Sequence, residues 1–367
     1  MGVNPEPRKK KKGGEGRATS KEVAAEVGVS VATVSNAYNR PDQLSEGLRE
    51  RIFEAAGRLG YSGPDPLGRS LRRRRSGAIG VLYADRLSYA FTDPAAVMFL
   101  EGVSLAAEEA GLNLFLVPGG YGLSGGSEAV LSAAVDGFVV YCVSAEDPVI
   151  SAVIERKLPV VLVDDPSRDG ATSIGIDDEG GARAAAEHLA ELGHRRFAVV
   201  SFKLTLEPDR GLADPARQES ADNEDTRSRL KGYKTAIEKA GVPWGDVPVY
   251  ECPENTPEEA KAAAEELLAK EPRPTAILAL SDQLAFGVME AAKGFGLSIP
   301  GDLSMVGFDD VSEAARSSPP LTTVHQPHVE KGLKAGRKLV ALLEGGDPGE
   351  PELLPTKLVV RGSTASP

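Results

Sequence analysis

From residue 78 onward, apolar, β-branched runs alternate with amphipathic stretches, twice over. "AIGVLYA", "LNLFLVP", "DGFVVYCV" and "PVVLVDD" make the first array; "RRFAVVS", "VPVYEC", "TAILALS" and "LSMVGFD" make the second. Such runs are typical of strands covered on both faces. Helical segments are expected at 95–110 and 127–134, and again from near Thr226, Pro257 and Asp282. Parallel strands need helices to carry the chain back, so two successive arrays predict two parallel-sheet lobes. The polar stretch 203–224 is expected as an excursion on the second lobe's surface.

Residues 18–63 follow another rule. "SKEVAAEVG" places Val23, Ala24 and Val27 on one face and stops at Gly28. Ser30 is a good N-cap for "VATVSNAYN", because its hydroxyl can accept from the free amides of the first turn. "SEGLRERIFEAAGRLG" starts at Ser45, is expected to bury Leu48, Ile52, Ala55 and Leu59, and stops at Gly60. Helices this short must pack on one another. Ala24 gives the small residue needed where two helices cross, and Gly28 can take a positive φ. Val23, Val29 and Val34 would fill the wedge. Val31, Ala32, Ser35 and Asn36 are left facing outward, a small-residue surface that makes sense if a DNA groove covers it.

Charge divides at the same place. Residues 1–75 hold 16 Lys and Arg against 9 Asp and Glu, and the remainder holds 26 against 45, giving the chain its net charge of −12. A basic N-terminal fifth on an acidic body suggests a nucleic-acid module joined to something else. Residues 1–17, with Lys9–Lys12, read as a disordered basic tail. No apolar run follows it as a secretory leader requires, and apolar segments end well short of the ~20 residues of a membrane span. The expected location is cytoplasmic, with no membrane partner. Cys142 and Cys252 are too few for a disulfide framework or a metal cluster.

"TSKEVAAEVGVSVATVSNAYN", "LSEGLRERIFEAAGRLGY" and "PLGRSLR" resemble the lactose-repressor/galactose-repressor (LacI/GalR) family of bacterial transcription regulators, and the likeness extends from Thr19 to Gly362. The resemblance implies an all-α helix-turn-helix domain (18–63), a hinge (64–76) and a two-lobed α/β effector and dimerisation domain (77–363) like the periplasmic sugar-binding proteins. Alignment places Val31, Ala32 and Asn36 where the family reads base edges, and Thr19, Ser30, Thr33, Ser35 and Asn39 where it contacts phosphates. In the hinge, "PDPLGRSLRRRRSG", Leu71 matches the leucine wedged into the minor groove. Arg69 and Arg72 to Arg75 supply the phosphate charge that the recognition helix lacks. Gly63 looks inserted there, and Asp65, Pro66 and Gly68 replace the family's common residues.

Two lobes place a crevice at the carboxyl ends of their strands. Crossings between lobes are expected near "SIGIDD", "TTVHQP" and "GGDPGEP", dividing the body into 77–175 plus 326–346 and 177–323 plus the C-terminal strand. By alignment the binding candidates are Asp164, Arg229, Ser281, Asp282 and Asp309, with Tyr89 and Phe91 from the first lobe and His325 and Gln326 at a crossing. Carboxylates and a guanidinium suit the paired hydroxyls of a carbohydrate, and aromatic rings suit its apolar face. Asp282 could instead cap a helix, Asp309 and Asp310 could close a turn, and Arg229 could be a surface charge. Ser281 stands where the family often has Asn, and Asn255 falls near a frequent aromatic.

The reading is a homodimeric DNA-binding regulator, a repressor, controlled by a small-molecule effector and needing no cofactor. An enzyme would have to use "GYGLSG", which satisfies the dinucleotide pattern G-x-G-x-x-G. It follows the second strand of its array, however, and no acidic strand end lies about 20 residues on, as ribose binding would require. His188, His194, His325 and His328 have no metal-ligand spacing with Cys. His188 and His194 flank a helix C-terminus, a packing and capping context. An exported sugar-binding protein would share the lobes but not the first 75 residues.

Overall fold

The Glu22 carboxylate accepts from the backbone N–H of Thr19 at 2.7 Å and from its hydroxyl at 3.0 Å, which starts the first helix, α1 (Ser20–Val27). In this computed structural model, residues 18–63, 75–83, 86–119, 125–144, 146–165, 171–347 and 349–367 are described. The chain divides into two units, 1–76 and 77–367. Most of the hinge, including Arg69, Leu71 and Arg72, lies outside the described residues, as does the tail 1–17 and all of "GYGLSG" but Gly125.

In the first unit α1 ends at Gly28, whose φ of 74° lets two successive amides, those of Gly28 and Val29, close on the Ala24 carbonyl at 3.0 Å. α2 (Val31–Asn39) and α3 (Glu46–Leu59) complete it. Val23, Ala24, Val34, Ala37, Ile52, Ala55, Ala56 and Tyr61 form the core. Leu59, expected inside, is 36% exposed; Ala56 takes the inward position, one turn after Ile52.

The second unit holds two sheets. The strands are β1 (Ala78–Tyr83), β2 (Asn113–Pro118), β3 (Phe138–Tyr141), β4 (Val160–Val163), β5 (Thr172–Ile176), β6 (Phe197–Ser201), β7 (Gly211–Leu212), β8 (Val249–Glu251), β9 (Ala276–Ala279), β10 (Ser304–Asp309), β11 (Thr322–His325), β12 (Glu352–Leu354) and β13 (Lys357–Val359). The first sheet runs β12-β5-β4-β3-β1-β2, all parallel; the second runs β13-β11-β10-β9-β6-β8-β7, with β13 and β7 antiparallel edges. β2, expected to be covered on both faces, is an edge strand and exposes Phe115.

Helices between them are α4 (Pro94–Glu109), α5 (Gly126–Ser132), α6 (Pro148–Glu155), α7 (Asp178–Glu191), α8 (Pro215–Glu219), α9 (Glu224–Lys239), α10 (Pro257–Leu268), α11 (Asp282–Gly294) and α12 (His328–Leu343). Four start alike: Asp93, Asp147, Asp214 and Thr256 accept from a first-turn amide, and Pro follows. In the first lobe α4 and α12 touch backbone to backbone. A Cβ at Gly102 would stand 2.1 Å from the Val329 carbonyl oxygen, and one at Gly332 equally close to that of Phe99.

Two crossings fall where the sequence predicts, from β5 into α7 and from β11 into α12. The third does not. The run after "GGDPGEP" first closes onto β5 as strand β12, so the chain crosses at residues 355–356, between β12 and β13. The lobes are therefore 77–176 with 328–354, and 178–325 with 357–367. The first and third crossings bond to one another: Asp177 N–H donates to the Leu354 carbonyl at 3.0 Å, and the Thr356 hydroxyl to that of Asp177 at 2.9 Å.

The stretch 203–224 is built into the second lobe rather than lying over it. Leu204 and Ala221 are buried, and Arg217 forks onto buried Glu251 through Nε and Nη2, both at 2.8 Å. His188 and His194 hold the C-terminal residues: His188 Nε2 is 2.9 Å from Thr364 Oγ1, and His194 bridges Thr275 Oγ1 and the Ala365 carbonyl.

Candidate functional site

In α2, Val34 and Ala37 point inward one turn apart, which turns Val31 and Ala32 outward, Val31 to 42% exposure, and leaves Ser35 and Asn36 half-buried. The candidate phosphate-contacting groups are held in local pairs. Ser30 Oγ accepts from Thr33 N–H at 3.0 Å and lies 2.8 Å from Thr33 Oγ1; Asn39 Nδ2 donates to the Ser35 carbonyl at 2.8 Å. Thr19 gives its hydroxyl proton to Glu22. Among the described residues the Asn36 side-chain amide has no hydrogen-bond partner, so its donor and acceptor are both open.

In the second unit the parallel strands aim their carboxyl ends into a cleft between the lobes. Tyr83 ends β1, Tyr141 ends β3, Asp164 follows β4, Asp309 ends β10, and Gln326 follows β11. All line the cleft, as do Tyr89, Arg229 and Ser281.

Arg229, on α9, is buried. Its Nε donates to Asp178 Oδ1 at 2.7 Å and its Nη1 to the Leu280 carbonyl at 2.6 Å, with Asp309 Oδ1 4.0 Å from Nη1. Burial pushes the carboxyls of Asp178 and Asp309 up to about 7, against the pull of Arg229. Burial also works against the guanidinium's charge, but Asp178 and Asp309 more than offset it.

Lys331, on α12, is 1% exposed and donates to Asp164 Oδ2 at 2.5 Å and Gln326 Oε1 at 2.9 Å. Gln326 Nε2 passes the connection to Asp309 Oδ1 at 2.6 Å. Burial penalises the ammonium, and Asp164, Cys142 and Asp178 together outweigh that penalty. His328 is kept neutral by burial first and then by Lys331 and Arg229. Under the cleft, Phe99 stacks on Tyr141 at 4.0 Å, and Tyr83 lies 5.5 Å from Tyr141 and 6.4 Å from Tyr89. Fixed carboxylates, one guanidinium and a tyrosine floor can bind a small molecule with hydroxyls on its edge and C–H groups on its face.

Three expected pocket residues lie elsewhere. Phe91 is 63% exposed, because in the 3-10 turn Tyr89–Phe91 it is Tyr89 that faces the cleft. Asp282 is buried and turned away: its carboxylate accepts from the Thr323 hydroxyl at 2.6 Å and the Val311 N–H at 2.9 Å, while Ser281 caps the helix. His325 pairs with Asp310 at 3.0 Å, outside the cleft. Sequence reasoning does not reach Lys331, Tyr141 or Asp93. Lys331 carries a signal all the same: His328, Lys331, Gly332, Ala335 and Leu339 are one helix face, and a lysine amid an otherwise buried face needs a partner.

Residues 19–63 match the family of bacterial regulatory proteins, lacI family, and residues 186–364 match the periplasmic binding protein-like domain. An HTH-type transcriptional regulator of Mycolicibacterium smegmatis is 44% identical over 359 residues, which cover 96% of this chain and 97% of that protein. A structure of the transcriptional regulator CelR in complex with cellobiose matches with a TM-score of 0.69 at 28% identity, over 95% of this chain and 100% of the other. The lac repressor dimer bound to operator and the anti-inducer ONPF matches with a TM-score of 0.77 at 26% identity, over the same shares. Among the described residues no helix is long and apolar enough to cross a membrane. With a helix-turn-helix reader at its head, a two-lobed periplasmic-binding-protein-like body behind it and such relatives along nearly its whole length, the chain belongs to the LacI family of bacterial transcription regulators.

Proposed function

We propose that this regulator is a repressor that binds a sugar or sugar-derived effector in the cleft and thereby changes its affinity for operator DNA. The observation that carries the reading is the convergence of Asp164, Arg229 and Asp309 on one cleft floored by Tyr83 and Tyr141. CelR holds cellobiose, and the lac repressor holds ONPF together with operator. The cleft's strongest charges neutralise one another, Arg229 with Asp178 and Lys331 with Asp164, which suits reversible binding rather than turnover. No cofactor is called for.

On DNA, Val31, Ala32 and Asn36 would read base edges. Val31 and Ala32 offer methyl contacts, and the Asn36 amide can bond adenine or another base edge. Thr19, Ser30, Thr33, Ser35, Asn39, Arg69 and Arg72 would meet phosphates, with Leu71 wedged into the minor groove between two half-sites. A homodimer on a pseudo-palindromic site is the arrangement this implies, in the cytoplasm where such DNA lies. The edge of the first sheet supports self-association: β2 exposes Phe115, and helices α4 and α5 beside it expose Val97, Leu105 and Leu131. A gel shift with DNA upstream of the chain's own gene, with and without a panel of sugars, tests the reading. Retardation that a sugar relieves is expected; no retardation at any protein concentration sinks it.

A further inference from the structure

Asn255, after β8, and Ser281, after β9, meet in space. Ser281 Oγ accepts from the Leu284 N–H at 3.1 Å, so its own proton goes to Asn255 Oδ1, 2.5 Å away. That bond orients the amide, and Asn255 Nδ2 then donates to the Tyr89 hydroxyl oxygen at 2.8 Å. Tyr89 returns its proton to the backbone carbonyl of Asn255 at 3.2 Å. Each bond fixes the direction of the next, with one acceptor for every donor. Ser281 and Asn255 belong to the second lobe and Tyr89 to the first, and all three line the cleft.

Where these bonds stand in the topology matters as much as their number. The three crossings gather at one end of both sheets, at β12 and β5 in the first and at β13 and β11 in the second. Tyr89 follows β1 and Asn255 follows β8, next to the opposite edges, β2 and β7. A rotation about the crossings moves these loops much further than residues beside the crossings. Lys331, Gln326 and Asp309 also link the lobes, but beside the β11–α12 crossing, where the chain already restrains them.

We propose that Tyr89, Asn255 and Ser281 form a clasp that holds the lobes closed at the end of the cleft far from the hinge, and that Asn255 is the positioning residue that sets closure. The clasp requires no ligand; only its consequence, that an effector enters when it parts, rests on the cleft being the effector site. A polar link thus stands far from the crossings, where a small force has long leverage on the lobes.

Hydrogen–deuterium exchange on the full chain tests this with Tyr89→Phe, which removes only a hydroxyl, Asn255→Ala, and the double variant. Each single variant is expected to raise exchange about three- to tenfold in the lobe it does not touch. Tyr89→Phe should do so at residues 253–257 and Asn255→Ala at residues 86–93, with 197–201 unchanged. The double variant should match Tyr89→Phe, which by itself removes both bonds of the link, whereas Asn255→Ala keeps the backbone carbonyl. Changes confined to each variant's own lobe, or additive in the double variant, would overturn the clasp. If Asn255→Ala raises exchange at 197–201 as well, Tyr89→Phe alone decides, and an unaltered 253–257 in that variant rejects the proposal.

Discussion

The guanidinium carbon of Arg229 lies 3.8 Å from the centroid of the Phe308 ring, with its Nε on Asp178 at 2.7 Å. The side chain is held by both its flat face and its edge, a combination that a lysine cannot reproduce. Replacing it with Met would leave Asp178 and Asp309 buried without their cation. We expect Arg229→Met to cost about 3–5 kcal/mol of stability near pH 8. The loss should shrink below pH 6, where both carboxyls can take up protons. Arg229→Lys should fall between the two proteins. Urea unfolding at both pH values measures this, and equal losses at pH 6 and 8 would show that the acids do not sense the guanidinium.

A second expectation concerns the wild-type protein. Asp178 and Asp309 hold protons up to about 7 in the fold, against an ordinary value of 3.8. Between those values the folded chain binds more protons than the unfolded one, so these groups lower stability as pH rises. Their favourable contribution is complete below pH 4 and is lost through pH 7. Asp309→Asn should flatten the dependence of the urea midpoint on pH between 5 and 8. A variant with the wild-type slope would place the titration elsewhere.

The contact between α4 and α12 has room for no side chain at Gly102. Gly102→Ala should force the helices apart at the Val329 carbonyl and lower stability by about 1–3 kcal/mol, despite the better helix propensity of alanine. A melting temperature at or above wild type would mean that the helices separate without cost.

On DNA, charge and reading should separate cleanly. Asn36→Ala is expected to relax preference at one base pair by about 1–3 kcal/mol, with an unchanged salt slope. Replacing Arg72 to Arg75 with Ala should weaken all sequences alike and flatten the slope by roughly 0.9 for each phosphate left without its arginine. Leu71→Ala should weaken operator binding and spare effector binding. Fluorescence anisotropy across a salt series with a selected operator decides among these, and a changed slope for Asn36→Ala would contradict the division.

Reading the chain as a sequence reached the parts whose physics is local. The inward pair Val34 and Ala37 follows from helical spacing, and the cleft residues Asp164 and Asp309 follow from their places at strand ends. What depends on distant partners was harder to see. Asp282 stands at a strand end too, yet Thr323 and Val311, far along the chain, turn it away from the cleft. Lys331 lies in a helix whose spacing is plain, but its partners Asp164 and Gln326 come from two other segments. The third crossing moved because three residues, 352–354, pair with β5, a pairing too short to show as a strand pattern.

The crossings themselves limit what the cleft can communicate. Of the three segments that pass between the lobes, two are bonded together through Asp177, Leu354 and Thr356. Bonds of this kind favour rotation of the lobes about the crossings, an angle, over sliding of one lobe past the other. An effector bound in this cleft would act through that angle, and the chemical detail of the pocket would decide which molecules can change it.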